Sequence, residues 1–224
     1  MKTKKLIIFG DSAFAEIAYE YFTYDSVYEV VAFTVSKEYL SKQTLFDLPI
    51  VPFEEIEKVY SPSVYEMHIA LVYNTLNRVR MRFYNEAKSK GYTLANYISS
   101  KAFVWRNVEI GDNCFVFEDN TIQPFVKIGS NNVFWSGNHI GHHSVIGDHN
   151  FISSHVVVSG FCEIGNANFM GVNATMGNNI KLGSDCLIGS FVHIVKNVEN
   201  GMLIKGTPNS PDDITTYERF KIVK

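Results

Sequence analysis

From Ile98 onward the apolar positions of the chain keep a period of six. Every sixth residue is apolar: Ile98, Val104, Ile110, Val116, Ile122, Ile128, Phe134, Ile140, Ile146, Ile152, Val158, Ile164, Met170, Met176, Leu182, Ile188 and Ile194. That is seventeen residues in one unbroken frame. Glycine often follows, as at Gly111, Gly129, Gly141, Gly147, Gly165, Gly171, Gly177, Gly183 and Gly189. A turn that needs positive φ is the expected reason. Two residues ahead of each large apolar side chain stands a smaller inward-tolerable one, as at Ala102, Val108, Cys114, Val126, Ser144, Val156, Cys162, Ala174, Cys186 and Val192. A short strand and a turn in every six residues, with one large and one small side chain facing the same way, is the pattern of a hexapeptide β-helix. Three units make a triangular coil of 18 residues, so the frame from 98 to 199 supplies five to six coils, each buried only by its neighbours.

The outward positions then form three columns of residues 18 apart. One reads Phe115, Val133, Phe151, Phe169, Leu187; a second Glu109, Lys127, Val145, Glu163, Lys181, Glu199; the third Thr121, His139, Val157, Thr175, His193. Only the first is a continuous apolar stripe, which water does not tolerate. The expectation is a subunit interface, with a covering helix from the same chain as the alternative.

The first 97 residues alternate differently. KLIIFG at 5–10, YEVVAFTV at 28–35 and MHIALVY at 67–73 read as strands. Helices are expected through Phe14, Ile17, Ala18, Tyr21 and Phe22, over 52–60, and over 76–91 where Gly91 ends the run. This is a small α/β, Rossmann-like βαβ domain with ligands expected at the carboxyl ends of its strands. The chain is thus divided into 1–97, a β-helix over 98–208, and a segment over 209–224 expected to form a short helix that caps the open end of the β-helix.

Composition adds mainly exclusions. A net charge of −3 with no basic tract offers no footprint for nucleic acid. No apolar run approaches the length of a membrane span, and MKTKK leads into a strand rather than a signal peptide, so a cytoplasmic location is expected. The three cysteines lie at inward positions, where burial makes them inert and too distant to bridge.

Five of the seven histidines fall within residues 136–155. His142 follows a strand on a turn and is the candidate general base; His143 is adjacent. His139 and His193 share an outward column and read as surface residues. His149 and His155 sit on turns and are candidates for contact with a ligand or a neighbouring chain. No cysteine or carboxylate cluster completes a metal site around them, so no metal is expected. The turn Gly10-Asp11-Ser12-Ala13-Phe14-Ala15 would present backbone N–H groups at a helix start, a phosphate cradle that competes with a plain capped turn.

With IIFGDSAFAE opening the first domain, IGHHSVIGDH on the β-helix and KGTPNSP in the tail, nearly the whole chain resembles the bacterial sugar acyltransferases of the bacillosamine and sialic-acid acetyltransferase family. The resemblance implies a left-handed β-helix, against the usual crossover hand. It also implies a homotrimer with active sites between subunits, acetyl-CoA as donor and a nucleotide-linked amino sugar as acceptor. The family's catalytic histidine falls on His142. The acidic residue that commonly follows it is replaced by His143, leaving Asp148 or Asn138 as alternative supports. Around the acceptor the resemblance implies Gly10, Asp11, Ser12, Ala13, Phe14, Ser36, Asn74 and Arg78, although Val35 and Ser36 replace an acidic pair after the second strand. Around acetyl-CoA it implies His155, Gly160, Gly171, Lys196, Lys205, Gly206 and Pro208, with the Gly160 N–H as a candidate donor to the developing oxyanion. N-acetylation is the leading activity; O-acetylation of sialic acid and a non-catalytic trimeric scaffold remain alternatives.

Overall fold

The computed structural model describes residues 2–207, 211 and 213–223. The N-terminal domain contains β1 (Lys4–Phe9), α1 (Ala13–Tyr24), β2 (Tyr28–Val35), β3 (Thr44–Leu45), β4 (Leu48–Pro52), α2 (Ile56–Val59), β5 (Tyr65–Ile69) and α3 (Arg78–Ser89). Its sheet has the order β3-β4-β2-β1-β5, parallel except for the β3–β4 hairpin. That hairpin lies outside the expected elements, because its five-residue strand alternates weakly and is split by prolines. The third expected strand ends early, at Ile69: residues 75–77 adopt positive φ and turn the chain into α3.

The six-residue frame folds as a triangular β-helix. Two-residue strands stack into three parallel sheets, and partners lie 18 residues apart, as in Phe115↔Val133↔Phe151. We name the faces by their outward columns. The aromatic face runs through Phe115, Val133, Phe151 and Phe169, the mixed face through Thr121, His139, Val157 and Thr175, and the charged face through Glu109, Lys127, Val145, Glu163 and Lys181. Along the charged face Lys127 pairs with Glu109 at 3.2 Å and Lys181 with Glu163 at 2.9 Å. The large residues of the frame form one continuous interior cluster with Cys114, Cys162 and Cys186, all three buried and unbridged. Burial pushes the Cys114 thiol up to about 12 and raises that of Cys162 as well. The last coil departs from the expected frame: Val198 bridges to Leu182 and Ile204 pairs with Ile188, two residues short of 18, so Glu199 leaves its column.

The repeated glycines serve a different purpose from the expected one. The left-handed backbone falls two residues later, at Asn113, Asn131, His143, His149, His155, Phe161 and their equivalents. The glycine itself is needed for close stacking. A Cβ on Gly111 would lie 2.4 Å from Ser130 Oγ, and one on Gly141 2.5 Å from the Ser159 carbonyl carbon.

The apolar stripe is an interface within the chain, and its assignment to a subunit contact is corrected. Phe14, Tyr21 and Phe22 of α1 meet the Phe115 ring at 5.4, 6.0 and 6.0 Å, and Tyr73 meets Phe151 and Phe169 at 4.9 and 4.6 Å. Phe115, Val133 and Phe151 are consequently buried, and removing such side chains from water stabilises by roughly 1.5–3 kcal/mol each. Arg80 of α3 is fully buried at the same junction and donates to the carbonyls of Leu71, Asn131, His149 and Asn150. The C-terminal helix α4 (Thr216–Phe220) forms with a Thr215/Glu218 capping box, but all its residues are exposed.

His68 on β5 is buried beside this junction, its Nδ1 2.9 Å from the Ala95 carbonyl, with no partner for Nε2 among the described residues. Burial, reinforced by the charge of Arg80, lowers its pKa from 6.5 to about 4. The unfolded chain takes up this proton as pH falls below 6.5 while the folded chain does not, so the stabilisation is complete above 6.5 and is lost toward pH 4. His68 alone should make the protein about 2 kcal/mol less stable at pH 5 than at pH 7. Urea unfolding at the two pH values checks this, with His68→Gln expected to flatten the difference.

Candidate active site

At each corner of the β-helix the second residue after the large apolar one stacks on its equivalent in the next coil. Between the charged and aromatic faces these residues are Asp112, Ser130, Asp148, Asn166 and Ser184. There the backbone N–H of one is bound by the side chain of the next: Asp112 to Ser130 Oγ at 3.1 Å, Ser130 to Asp148 Oδ1 at 2.6 Å, Asp148 to Asn166 Oδ1 at 2.7 Å. Between the mixed and charged faces the equivalent column reads Pro124, His142, Gly160, Asn178, Lys196. The ladder is broken here, because Gly160 has no side chain to offer. The N–H of His142 turns instead to Gln123 Oε1 at 2.9 Å, and its imidazole lies over Gly160. A Cβ on Gly160 would stand 2.9 Å from Cε1 and 3.0 Å from Nε2 of that ring.

His142 is exposed on this corner, and its Nδ1 lies 3.1 Å from Nδ1 of His143. His143 is stacked between Phe125, at 4.6 Å, and Phe161, at 4.9 Å. Phe161 also presents its ring to the edge of His142 at 5.0 Å. Phe125, His143 and Phe161 all have left-handed backbone, with φ of 65°, 58° and 59°. A bulky residue in that region costs about 1–2 kcal/mol, and asparagine or aspartate occupies many of the equivalent positions. Beside this corner a groove of about 1000 Å³ runs along the charged face past His143, Phe161, Glu163, Asn179, Lys181 and Glu199.

Several expected contributors are engaged elsewhere. Asp148 Oδ1 accepts from Ser130, and Asn138 is buried with its amide on Trp135 O and its oxygen on Val156 N–H, so within the chain neither supports His142. The Gly160 N–H donates to Asn178 Oδ1 at 3.0 Å and is not a free oxyanion donor. Gly171 is buried under Ser190, its Cβ position 2.6 Å from the Ser190 nitrogen, which leaves it no surface for a ligand. Phe14 turns into the domain junction against Phe115, Phe117 and Trp135 rather than toward a ligand, because burying its ring outweighs exposing it. Arg78 is paired with Asp185 at 2.5 Å. His149 bonds Asn131 at 2.9 Å, packs edge-on to Tyr84, and has its pKa lowered by burial.

The remaining candidates separate into three places. His142, His143, Gly160 and Lys196 share the mixed–charged corner. Gly10, with φ of 127°, and the exposed Ser12 and Ala13 lie at the start of α1, with Asp11 half-buried beside them. Ser36 is buried after β2, and Asn74 is exposed after β5. His155, over Gly137, and Lys205 and Gly206 follow the aromatic face. Pro208 lies outside the described residues. In a triangular prism the mixed–charged corner is opposite the aromatic face, against which the N-terminal domain packs. One chain therefore holds the histidine pair and the α/β loops on opposite sides. Among the described residues no three histidine, cysteine or carboxylate side chains converge as metal ligands, and no helix is long and apolar enough to cross a membrane.

Residues 125–160 match the bacterial transferase hexapeptide (six repeats) family. No curated protein matches the sequence. Among solved structures, the acetyltransferase domain of PglB from Neisseria gonorrhoeae is 21% identical, superposes with a TM-score of 0.82, and is covered over 100% of its length by 93% of this chain. The same domain in complex with acetyl coenzyme A gives 20% identity, a TM-score of 0.81, and coverage of 93% of this chain and 99% of that one. PerB from Caulobacter crescentus, in complex with CoA and GDP-perosamine, gives 20% identity, a TM-score of 0.79, and coverage of 91% and 95%. The chain thus contains bacterial transferase hexapeptide repeats and has the fold of these acetyltransferases, an α/β domain followed by a left-handed parallel β-helix.

Proposed function

We propose that the protein is an acetyl-CoA-dependent N-acetyltransferase acting on a nucleotide-linked amino-deoxy sugar in the cytoplasm, with His142 as general base. The observation that carries this reading is the broken ladder at Gly160, which leaves the His142 imidazole exposed on a corner otherwise filled by stacked turns. Its Nε2 has no partner among the described residues. The likeness to PglB with acetyl coenzyme A and to PerB with CoA and GDP-perosamine supports the donor and the acceptor class. Variants of the latter enzyme with one histidine replaced by Asn or Ala, also bound to CoA and GDP-perosamine, share the fold.

The reaction asks little more of the protein than placement and a base. The amine nitrogen attacks the thioester carbonyl, forming N–C. Nε2 of His142 removes the nitrogen's proton, and the C–S bond breaks with that proton passing to the departing thiolate. A covalent acyl-enzyme is not needed, in keeping with three buried thiols. Because the α/β loops and the histidine corner of one chain lie on opposite sides, the reading requires a second copy, and a homotrimer with sites between subunits supplies it. The acceptor's nucleotide would then be held by Gly10, Ser12, Ser36 and Asn74 of one copy, near His142 of the next, with Lys196, His155 and Lys205 along the donor.

Thiol release from acetyl-CoA, measured against a panel of nucleotide-linked 3-amino and 4-amino sugars and sialic acid, tests the assignment. Release with an amino sugar is expected. Release with sialic acid alone would move the reaction to O-acetylation, and absence of acetyl-CoA binding by calorimetry would sink both.

A further inference from the structure

A single hydrogen bond joins the two imidazoles of the corner, and it has a direction. Nδ1 of His142 and Nδ1 of His143 are 3.1 Å apart, so one carries the proton and the other accepts it. If His143 donates, His142 is protonated at Nε2 and has no lone pair facing the reactants. If His142 donates, its Nε2 is free. We propose that His143 is a positioning residue that accepts the Nδ1–H of His142 and thereby holds His142 in the tautomer with an unprotonated Nε2, a neutral imidazole doing what a carboxylate does in other histidine bases. The proposal rests on the reading of His142 as the base.

The surroundings of His143 support this role. Its ring is clamped nearly parallel between Phe125 and Phe161, with interplanar angles of 30° and 20°. The clamp fixes the plane of the ring and with it the direction of the Nδ1 lone pair. Three successive aromatic rings occupy a left-handed backbone position that the fold itself fills with Asn or Asp in many other coils, and stacking the β-helix does not require them. Among the described residues no carboxylate is bonded to either imidazole. Gln123 Oε1 is on the backbone N–H of His142, Glu163 in the adjoining groove is paired with Lys181 at 2.9 Å, and Glu199 and Lys196 lie further along the groove and the column.

The direct test is side-chain 15N NMR of the full-length protein above neutral pH, which reads the tautomer of His142 without any assay of turnover. Wild type should show His142 protonated at Nδ1. His143→Ala should shift it to the Nε2–H form, and His143→Glu should restore Nδ1–H. Alanine is tolerated at this backbone position, since Ala167 holds the equivalent place with φ of 57°. An Nε2–H tautomer of His142 in wild type would overturn the proposal, as would a tautomer unchanged in His143→Ala. These outcomes stand even if no amino sugar is a substrate. Where turnover is found, His143→Ala should lose about 10- to 100-fold in kcat/KM and His143→Glu recover most of it.

Discussion

His142→Ala should lower kcat/KM for the amino-sugar acceptor by about 10²–10⁴-fold at pH 7, the usual contribution of a positioned general base. The loss should not come from unfolding. His142 is exposed, its backbone N–H bonds to Gln123 regardless of side chain, and its imidazole lies over a glycine, so alanine removes only surface contacts. The pH dependence of the variant separates acceptors. An amine loses its own proton as pH rises, so the deficit should shrink between pH 7 and pH 9. A sugar hydroxyl stays protonated over that range, and a deficit that persists undiminished would argue for O-acetylation. Thermal unfolding of both proteins, expected to coincide within about 1 kcal/mol, completes the measurement.

Arg80→Ala should destabilise the protein by about 3–5 kcal/mol. The guanidinium is fully buried with no carboxylate beside it among the described residues, and this burial lowers its pKa to about 9. What compensates is a set of carbonyl oxygens from the β-helix corner. Removing the side chain leaves the carbonyls of Asn131 and His149 unbonded in the interior, each costing about 1–3 kcal/mol, and opens a cavity under α3. The loss falls on the junction between the two domains. Urea unfolding of the variant should therefore change from one transition to two, the α/β domain melting first. A single unshifted transition would show that the aromatic contacts alone hold the domains together.

The β-helix was legible because a period of six, sustained over seventeen units, has few other physical solutions. The α/β domain was legible in its strong strands and helices but not in its β3–β4 hairpin. Which surface covers the aromatic stripe was not legible, since Phe115 and Phe151 look the same whether a subunit or a helix lies on them. Only the paired aromatic face of α1, Phe14, Tyr21 and Phe22, carried a hint. At the candidate site, His142 and His143 were singled out from their position in the frame together with the resemblance. Gly160 was noted as a donor when its importance is the side chain it lacks, a distinction visible only once residues 18 apart are stacked. Arg80 was missed because one of three alternating arginines on an amphipathic helix, Arg78, Arg80 and Arg82, reads as solvent-facing. The signal available was its place among Phe83, Tyr84 and Ala87 on the buried side of α3.

The ladder of turns also limits how such a chain can change length. Within the coils, asparagines 18 apart hand hydrogen bonds down a column, Asn132 to Asn150 to Asn168, and the glycines admit only a backbone at matching height. Deleting one residue between 98 and 194 would put outward columns into the core over every later coil. Insertion or loss of 18 would leave each contact type intact. Viable natural length variants of this domain should therefore differ by whole coils, with smaller insertions confined to the corners, where a loop can leave and return without moving the stack.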